Sequence, residues 1–322
     1  MKQACGLLAL LLGGATLGCQ PYRACEPVDE ATVAKLPSRL SLTGLYGSGT
    51  TEALAPDVYG FRPRFELWSD GASKRRFVWL PPDARIDTSE QDAWQLPVGA
   101  KLWKEFTRGG IRVETRLLQR LAGGWTGVAY LWERDGSDAL AAPYGAIDAL
   151  GTAHNVPAAN ECVACHGGRS SHALGFSAIQ LAEPAEGDDL SLAELVRLEL
   201  LSHPPATTPT VPGDETERAA LGYLHANCSH CHNASRPERA GARCFDPESE
   251  IDFSLRADEG PNVAETNTYR TAKDVIEPGH PDDSRALELA SQRSRFNQMP
   301  PLATEAVDTV AVALLRRWIE EM

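Results

Sequence analysis

Hydrophobic and polar residues alternate in two stretches of the first half of the chain, and this alternation predicts β-strands. Apolar residues occupy every second position over 61–67, and the same period recurs over 111–117. A period of two is typical of a strand with one buried face. Turn-forming pairs that would connect such strands are Gly109 with Gly110, Gly123 with Gly124, and Asp135 with Gly136. The pattern therefore predicts an antiparallel β-sandwich or jelly-roll-like domain over 46–150.

The second half of the chain changes to helical spacing. Ser191 with Glu194 and Asp214 with Glu217 have the three-residue spacing of a capping box, so they predict helices over 191–201 and from 214 onward. A further helix closes the chain. Its apolar stripe comprises Val307, Val310, Ala311, Leu314, Leu315 and Trp318. The fold class predicted from these patterns is multidomain α+β.

Two copies of Cys-x-x-Cys-His carry the candidate chemistry. The first is formed by Cys162, Cys165 and His166, and the second by Cys228, Cys231 and His232. This motif attaches a c-type haem: the two thiols bond to the vinyl groups of the haem, and the histidine ligates the iron. A zinc ribbon would need its two cysteine pairs much closer together, and neither pair shows the βαβ context of a thioredoxin-like site. The sequence therefore predicts two covalently bound haem c groups.

The sixth ligands of the two irons are not equally apparent. The region from Asp214 resembles class I cytochrome c in its order of helix, haem motif, loop, Met-Pro and helix, and Met299 stands where that family places its sixth ligand. The other methionines are Met1 and Met322, at the two ends of the chain. The first haem would need another ligand or an open position. Among its candidates we favour His154; the others are His172, His203 and His225.

The N-terminus resembles a bacterial export signal. Lys2 precedes a short apolar run over 7–12, and the run ends in Leu17, Gly18 and Cys19, which resembles a lipobox. Cys19 would then be lipidated, and we expect a periplasmic or cell-surface lipoprotein, with the outer membrane favoured. An ordinary secretory signal is the alternative. Four cysteines are assigned to haem, so Cys25 and Cys244 remain as a possible disulfide in an oxidising compartment.

The charge of the chain limits its partners. The formal net charge of −13 argues against nucleic acid or an anionic membrane surface, so we expect membrane contact through the lipid anchor alone. A redox partner protein, unidentified, is expected. One short loop is nevertheless crowded with charge. Its residues would contact haem propionates or a partner, or they would form a simple charged hairpin. They are Asp70, Lys74, Arg75 and Arg76.

The whole chain resembles an uncharacterised bacterial di-haem c-type cytochrome family. The resemblance lies in WSDGASKRRFVWLP, VETRLLQRLAGGWTGVAYLW, NECVACH, ALGF and MPPL. That family couples an N-terminal β domain to two haem motifs and is often encoded beside parallel β-helix repeat proteins. The resemblance implies haem binding and electron transfer, and it brings no known substrate. We expect an electron carrier. The alternatives are a di-haem peroxidase-like oxidoreductase with an open first haem, and a haem-stabilised cell-surface binding module.

These observations predict five consecutive segments. They are a signal peptide over 1–19, a tether over 20–45, the β domain over 46–150, a first haem segment with a helix and a Pro-rich linker over 151–213, and a cytochrome c-like domain over 214–322.

Overall fold

The protein has a mixed α+β fold built on one six-stranded antiparallel sheet. The structure is a computed structural model, and it describes residues 27–47, 50–236, 250–294 and 297–322. The strands are β1 Tyr59–Gly60, β2 Ser73–Trp79, β3 Lys101–Arg108, β4 Ile111–Leu121, β5 Gly124–Trp132 and β6 Ala139–Ala141. The helices are α1 Glu30–Val33, α2 Ala159–His166, α3 Leu192–Arg197, α4 Glu215–Asn227, α5 Asn267–Thr271, α6 Arg285–Ala290 and α7 Thr309–Glu321.

The sheet is a meander in which each strand pairs with the next one along the chain. Gly109 and Gly110 both have positive φ, at 56° and 82°, which lets β3 turn directly into β4. The register places Lys104 opposite Arg76 on β2 and opposite Arg116 on β4. Because cross-strand partners share a face of the sheet, these three basic residues form a row across its middle.

The two faces of the sheet have different coverings. One face packs its aromatic side chains, including Trp103 and Trp132, against Leu40 and Leu45 of the N-terminal segment. On this face the hydroxyl of Tyr130 donates to the carbonyl of Pro37 at 2.8 Å. The other face carries the basic row and is approached by α2, which contacts β5. Helix α2, which contains the first Cys-x-x-Cys-His motif, therefore packs against the charged face of the sheet.

The antiparallel sheet is confirmed, but the described part of the chain contains one sheet and no second sheet to make a sandwich. The strand expected over 61–67 does not form. Pro63 has no N–H for a ladder. The backbone N–H groups of Arg64 and Phe65 instead donate to Gln180, at 2.7 Å to its carbonyl and 2.9 Å to its side-chain oxygen. Helices and loops cover the sheet where a second sheet was expected.

The predicted helices α4 and α7 are present and pack together. Asp214 accepts from the N–H of Glu217 at 2.9 Å, and the Glu217 carboxylate accepts from the N–H of Asp214 at 2.8 Å, which is the predicted capping box. Leu221 on α4 and Trp318 on α7 are buried in one core. Helix α3 begins after Ser191 as predicted but ends at Arg197, because Glu199 adopts a positive φ of 56° and Leu201 then bridges to Ile86.

The loop before β2 joins the sheet to α4 and to the segment before α7. The N–H of Trp68 donates to the side-chain oxygen of Asn227 at 2.7 Å. The Asp70 carboxylate accepts from the hydroxyl of Thr304 at 2.9 Å and from the N–H of Ala306 at 3.0 Å. Gly222 on α4 leaves no room for a side chain, since an added Cβ would lie 2.0 Å from the Phe65 ring.

The predicted charged loop is wrong in part, because Lys74, Arg75 and Arg76 lie within strand β2 and only Asp70 precedes it. These residues are held largely by contacts within the protein. Lys74 donates to the carbonyl of Leu67, and Arg76 pairs with Glu66 at 3.1 Å. Arg75 is the exposed member, 65% accessible at its side chain. No helix in the described part of the chain is long and apolar enough to cross a membrane.

Candidate functional site

Helix α2 consists of the first haem motif and the three residues before it. The helix begins after Ala158, whose N–H donates to the Glu161 carboxylate at 2.8 Å. Cys162, Cys165 and His166 stand three and four residues apart, so they project from one side of the helix. Both cysteines are free thiols. Burial raises the pKa of Cys162 to about 11. The helix therefore offers two neutral thiols and one imidazole to the same space.

A backbone carbonyl orients the His166 ring. The Nδ1 atom lies 2.7 Å from the carbonyl oxygen of His172, which can only accept, so Nδ1 carries the proton. The other nitrogen, Nε2, is left with its lone pair. Burial, and next the positive charge of Lys104, lowers the pKa of His166 to about 3. The ring is therefore neutral at physiological pH, which is the form that ligates a metal.

A pocket lies between α2 and the charged face of the sheet. Its walls are Leu102, Trp103, Lys104, Arg116, Leu117, Leu118, Gly127, Cys162, His166 and Leu174. Most of these residues are apolar, as the walls of cofactor pockets usually are. A flat macrocycle anchored at the α2 side would be covered by leucines and reached by two basic side chains. The donor set and the apolar walls fit a haem bound through the first motif.

The basic residues of this pocket differ in their partners. Arg116 forms an ion pair with Glu114, with its Nη2 2.5 Å from the carboxylate. Burial raises the pKa of Glu114, but Arg116 and His154 together outweigh it, and the pKa lies below its ordinary value. Burial, and next the charge of Arg76, holds the pKa of Lys104 well below its usual range.

His154, the favoured sixth ligand of the first haem, has a carboxylate partner. Its Nε2 lies 2.7 Å from Glu114, and the two side chains are 5% and 0% exposed. The ring also packs on Phe106, with centroids 5.6 Å apart. His154 and Arg116 therefore contact the same Glu114 carboxylate, and one ring nitrogen of His154 is engaged.

The second motif begins where α4 ends. Cys228 caps the helix, and its carbonyl accepts from the N–H groups of Cys231 at 3.0 Å and of His232 at 2.9 Å. The resulting tight turn gathers the three side chains of the motif. The His232 ring meets the edge of Phe253 at 5.9 Å, and burial lowers its pKa. This turn differs from the first motif, which is helical throughout.

The two motifs touch each other. Arg169 donates to the Ser229 hydroxyl at 2.5 Å, and the Asn233 amide donates to the carbonyl of Gly168 at 3.1 Å. A Cβ on Gly168 would lie 1.8 Å from the carbonyl oxygen of His230, so only glycine fits there. Burial, and next the neighbouring Cys231, raises the pKa of Cys165 to about 12. The distance between the two motifs along the chain does not indicate this contact.

The remaining ligand candidates are placed as follows. His172 stacks on Trp125 at 6.0 Å, with its Nδ1 3.0 Å from the Ser170 carbonyl. His225 accepts from the N–H of Leu255 at 3.0 Å, and the His203 ring bonds Ser202 at 2.9 Å.

Met299 is half-buried between α6 and α7. Its N–H donates to the Leu289 carbonyl at 3.0 Å, and the Met299–Pro300 peptide is cis. Nothing in these contacts tests its predicted ligand role, which stays a prediction.

Two predicted sites fall on residues outside those described. They are the predicted lipidation site Cys19 and the possible disulfide between Cys25 and Cys244. Within the described ranges, no group of three or more His, Cys, Asp and Glu side chains could hold a metal ion by itself. A haem does not need such a group, because the porphyrin supplies four nitrogen ligands and the protein adds only axial ones.

Comparisons of the chain with protein-family models, with curated proteins and with solved structures found no match.

Proposed function

We propose that the protein is an exported di-haem c-type cytochrome that carries electrons. The observation that supports this most strongly is the contact between two Cys-x-x-Cys-His motifs distant in the sequence, made through Gly168 and His230. Contact between two unrelated cysteine pairs would not be expected. Contact between two haem attachment sites is expected, because electrons pass between haems only when the haems are held close together.

Each motif would hold one haem. Cys162 and Cys165 form the thioethers of the first, and His166 presents Nε2 to its iron because the His172 carbonyl holds Nδ1. Cys228 and Cys231 would attach the second haem, and His232 and Met299 would ligate its iron. Bound haem would supply a one-electron Fe(III)/Fe(II) couple. Leucines among the residues of the first pocket would give the first haem apolar surroundings.

The rest of the proposal follows from the sequence. The chain would belong to the family of β-domain di-haem cytochromes that it resembles, and the part from Asp214 would be its class I cytochrome c-like domain. The packing of α4 against α7 supports that second resemblance. Lipidated Cys19 would anchor the protein to a membrane, the outer membrane being favoured, where it would exchange electrons with a partner protein.

Potentiometry with a peroxide assay separates a carrier from an enzyme. For the carrier we expect two one-electron transitions and full recovery of the oxidised spectrum after each cycle. We expect no change of the haem spectrum on adding hydrogen peroxide, because both irons have six ligands. Rapid turnover of peroxide, with a spectral change confined to one haem, would contradict the carrier and favour the peroxidase-like alternative.

A further inference from the structure

The residues that line the first pocket include few whose side chains can ligate iron. The lining consists of four leucines, a tryptophan, a glycine, an arginine, and then Lys104, Cys162 and His166. Arginine stays protonated and has no lone pair to give. Cys162 is assigned to a thioether and His166 to one face of the iron. The nitrogen of Lys104 is therefore the remaining donor in the pocket.

Lys104 also lies on the wall of the pocket that is opposite His166. It lies in the middle of β3, on the charged face of the sheet, whereas His166 ends helix α2 on the opposite wall. A ligand pair that sandwiches a haem must approach from two opposite walls. His166 from the helix and Lys104 from the sheet satisfy this requirement.

The basic neighbours of Lys104 on this face have hydrogen-bond or ion-pair partners, whereas Lys104 has none in the described part of the chain. Lys74 bonds Ser69 at 3.2 Å, Arg76 pairs with Glu66, and Arg116 pairs with Glu114. Within the described part of the chain, the Lys104 side chain is half-buried and has no hydrogen-bond or ion-pair partner. Coordination to a metal would give this nitrogen a partner.

Three histidines near the first motif are less suitable, and His230 belongs to the second motif and does not line the pocket. His154 has its Nε2 on Glu114, and His172 lies on the proximal side, where its carbonyl orients His166. His225 accepts a backbone hydrogen bond at Nδ1. None of the three lines the pocket.

We propose that Lys104 is the sixth ligand of the iron that His166 holds. This inference rests on the proposed function and deepens it. The Nζ lone pair forms the bond to iron, and the ammonium proton passes to solvent. Nitrogen ligands on both faces would make the first haem low-spin and closed to peroxide. They would also give it a lower potential than a haem with histidine and methionine ligands.

The test uses the full-length holoprotein and two variants. In Lys104→Ala we expect one of the two haems to change from low-spin to high-spin, as read by electron paramagnetic resonance and by optical spectra. That haem should then bind one cyanide or imidazole per protein, and imidazole should restore the low-spin state. The control is Lys101→Ala, on the same strand but bonded through its amine to the Thr43 carbonyl at 2.6 Å. It should leave both haems low-spin.

Two other results would overturn this inference, and a third would overturn the proposed function. If Lys104→Ala keeps both haems low-spin and only a potential shifts, Lys104 is a charged neighbour of the haem and the inference is wrong. A high-spin first haem in the wild-type protein overturns it as well, even if the variant fails to fold. A wild-type protein without covalent haem would instead overturn the proposed function.

Discussion

Replacing both thiols of the first motif should reduce the haem content of the protein from two to one. In the double variant Cys162→Ala with Cys165→Ala, His166 alone cannot retain a haem covalently, whereas the second motif keeps both of its thiols. The measurement is the haem content per polypeptide after denaturation and removal of free haem. The expected loss is one haem.

Two matched variants control this result. Cys228→Ala with Cys231→Ala should also leave one haem, and the spectrum that remains should differ from that of the first variant. Cys244→Ala, outside both motifs, should leave two. If the variant at Cys162 and Cys165 keeps both haems after denaturation, the first motif is not an attachment site.

Replacing Met299 should produce the largest change in redox potential. In Met299→Ala the second haem loses its thioether ligand, which stabilises ferrous iron relative to nitrogen donors. We expect one midpoint potential to fall by on the order of 0.1–0.3 V, within the roughly 0.8 V range that axial ligands span. The near-infrared sulfur-to-iron band of the oxidised protein should disappear at the same time. The measurement is a spectroelectrochemical titration that follows both haems.

Met322→Ala is the matched control, because Met322 is the other methionine beyond the second motif and lies at the end of the chain. It should leave both potentials and the near-infrared band unchanged. A band that survives in Met299→Ala, or that is absent from the wild-type protein, would show that another residue ligates the second iron.

Local sequence patterns predicted the local structure well. The capping box at Asp214 is a property of a few neighbouring residues and is present as expected. The apolar stripe of α7 is present in part: Ala311, Leu315 and Trp318 are buried. Val310, which was predicted to belong to the stripe, is 80% exposed.

The strand predicted from the alternating pattern over 61–67 is wrong, because alternation alone does not supply a partner strand. There Pro63 cannot donate, and Arg64 and Phe65 donate to Gln180 instead.

The arrangement of the site could not be predicted in the same way. Gly168 and His230 touch although they are far apart in the chain, and no periodicity reports such a contact. Lys104 resembles an ordinary polar residue of a half-buried strand. Its position in a pocket depends on α2, which follows much later in the sequence and covers that face of the sheet. The haem motifs were found because covalent attachment requires a fixed local spacing.

Covalent attachment of two haems is tested most directly by the intact mass of the mature wild-type protein, made in a host that matures c-type cytochromes and measured under denaturing conditions. We expect a mass that exceeds that of the processed polypeptide, with any lipid, by two haems. A protein with the bare polypeptide mass, or one that is colourless and contains zinc, would contradict it.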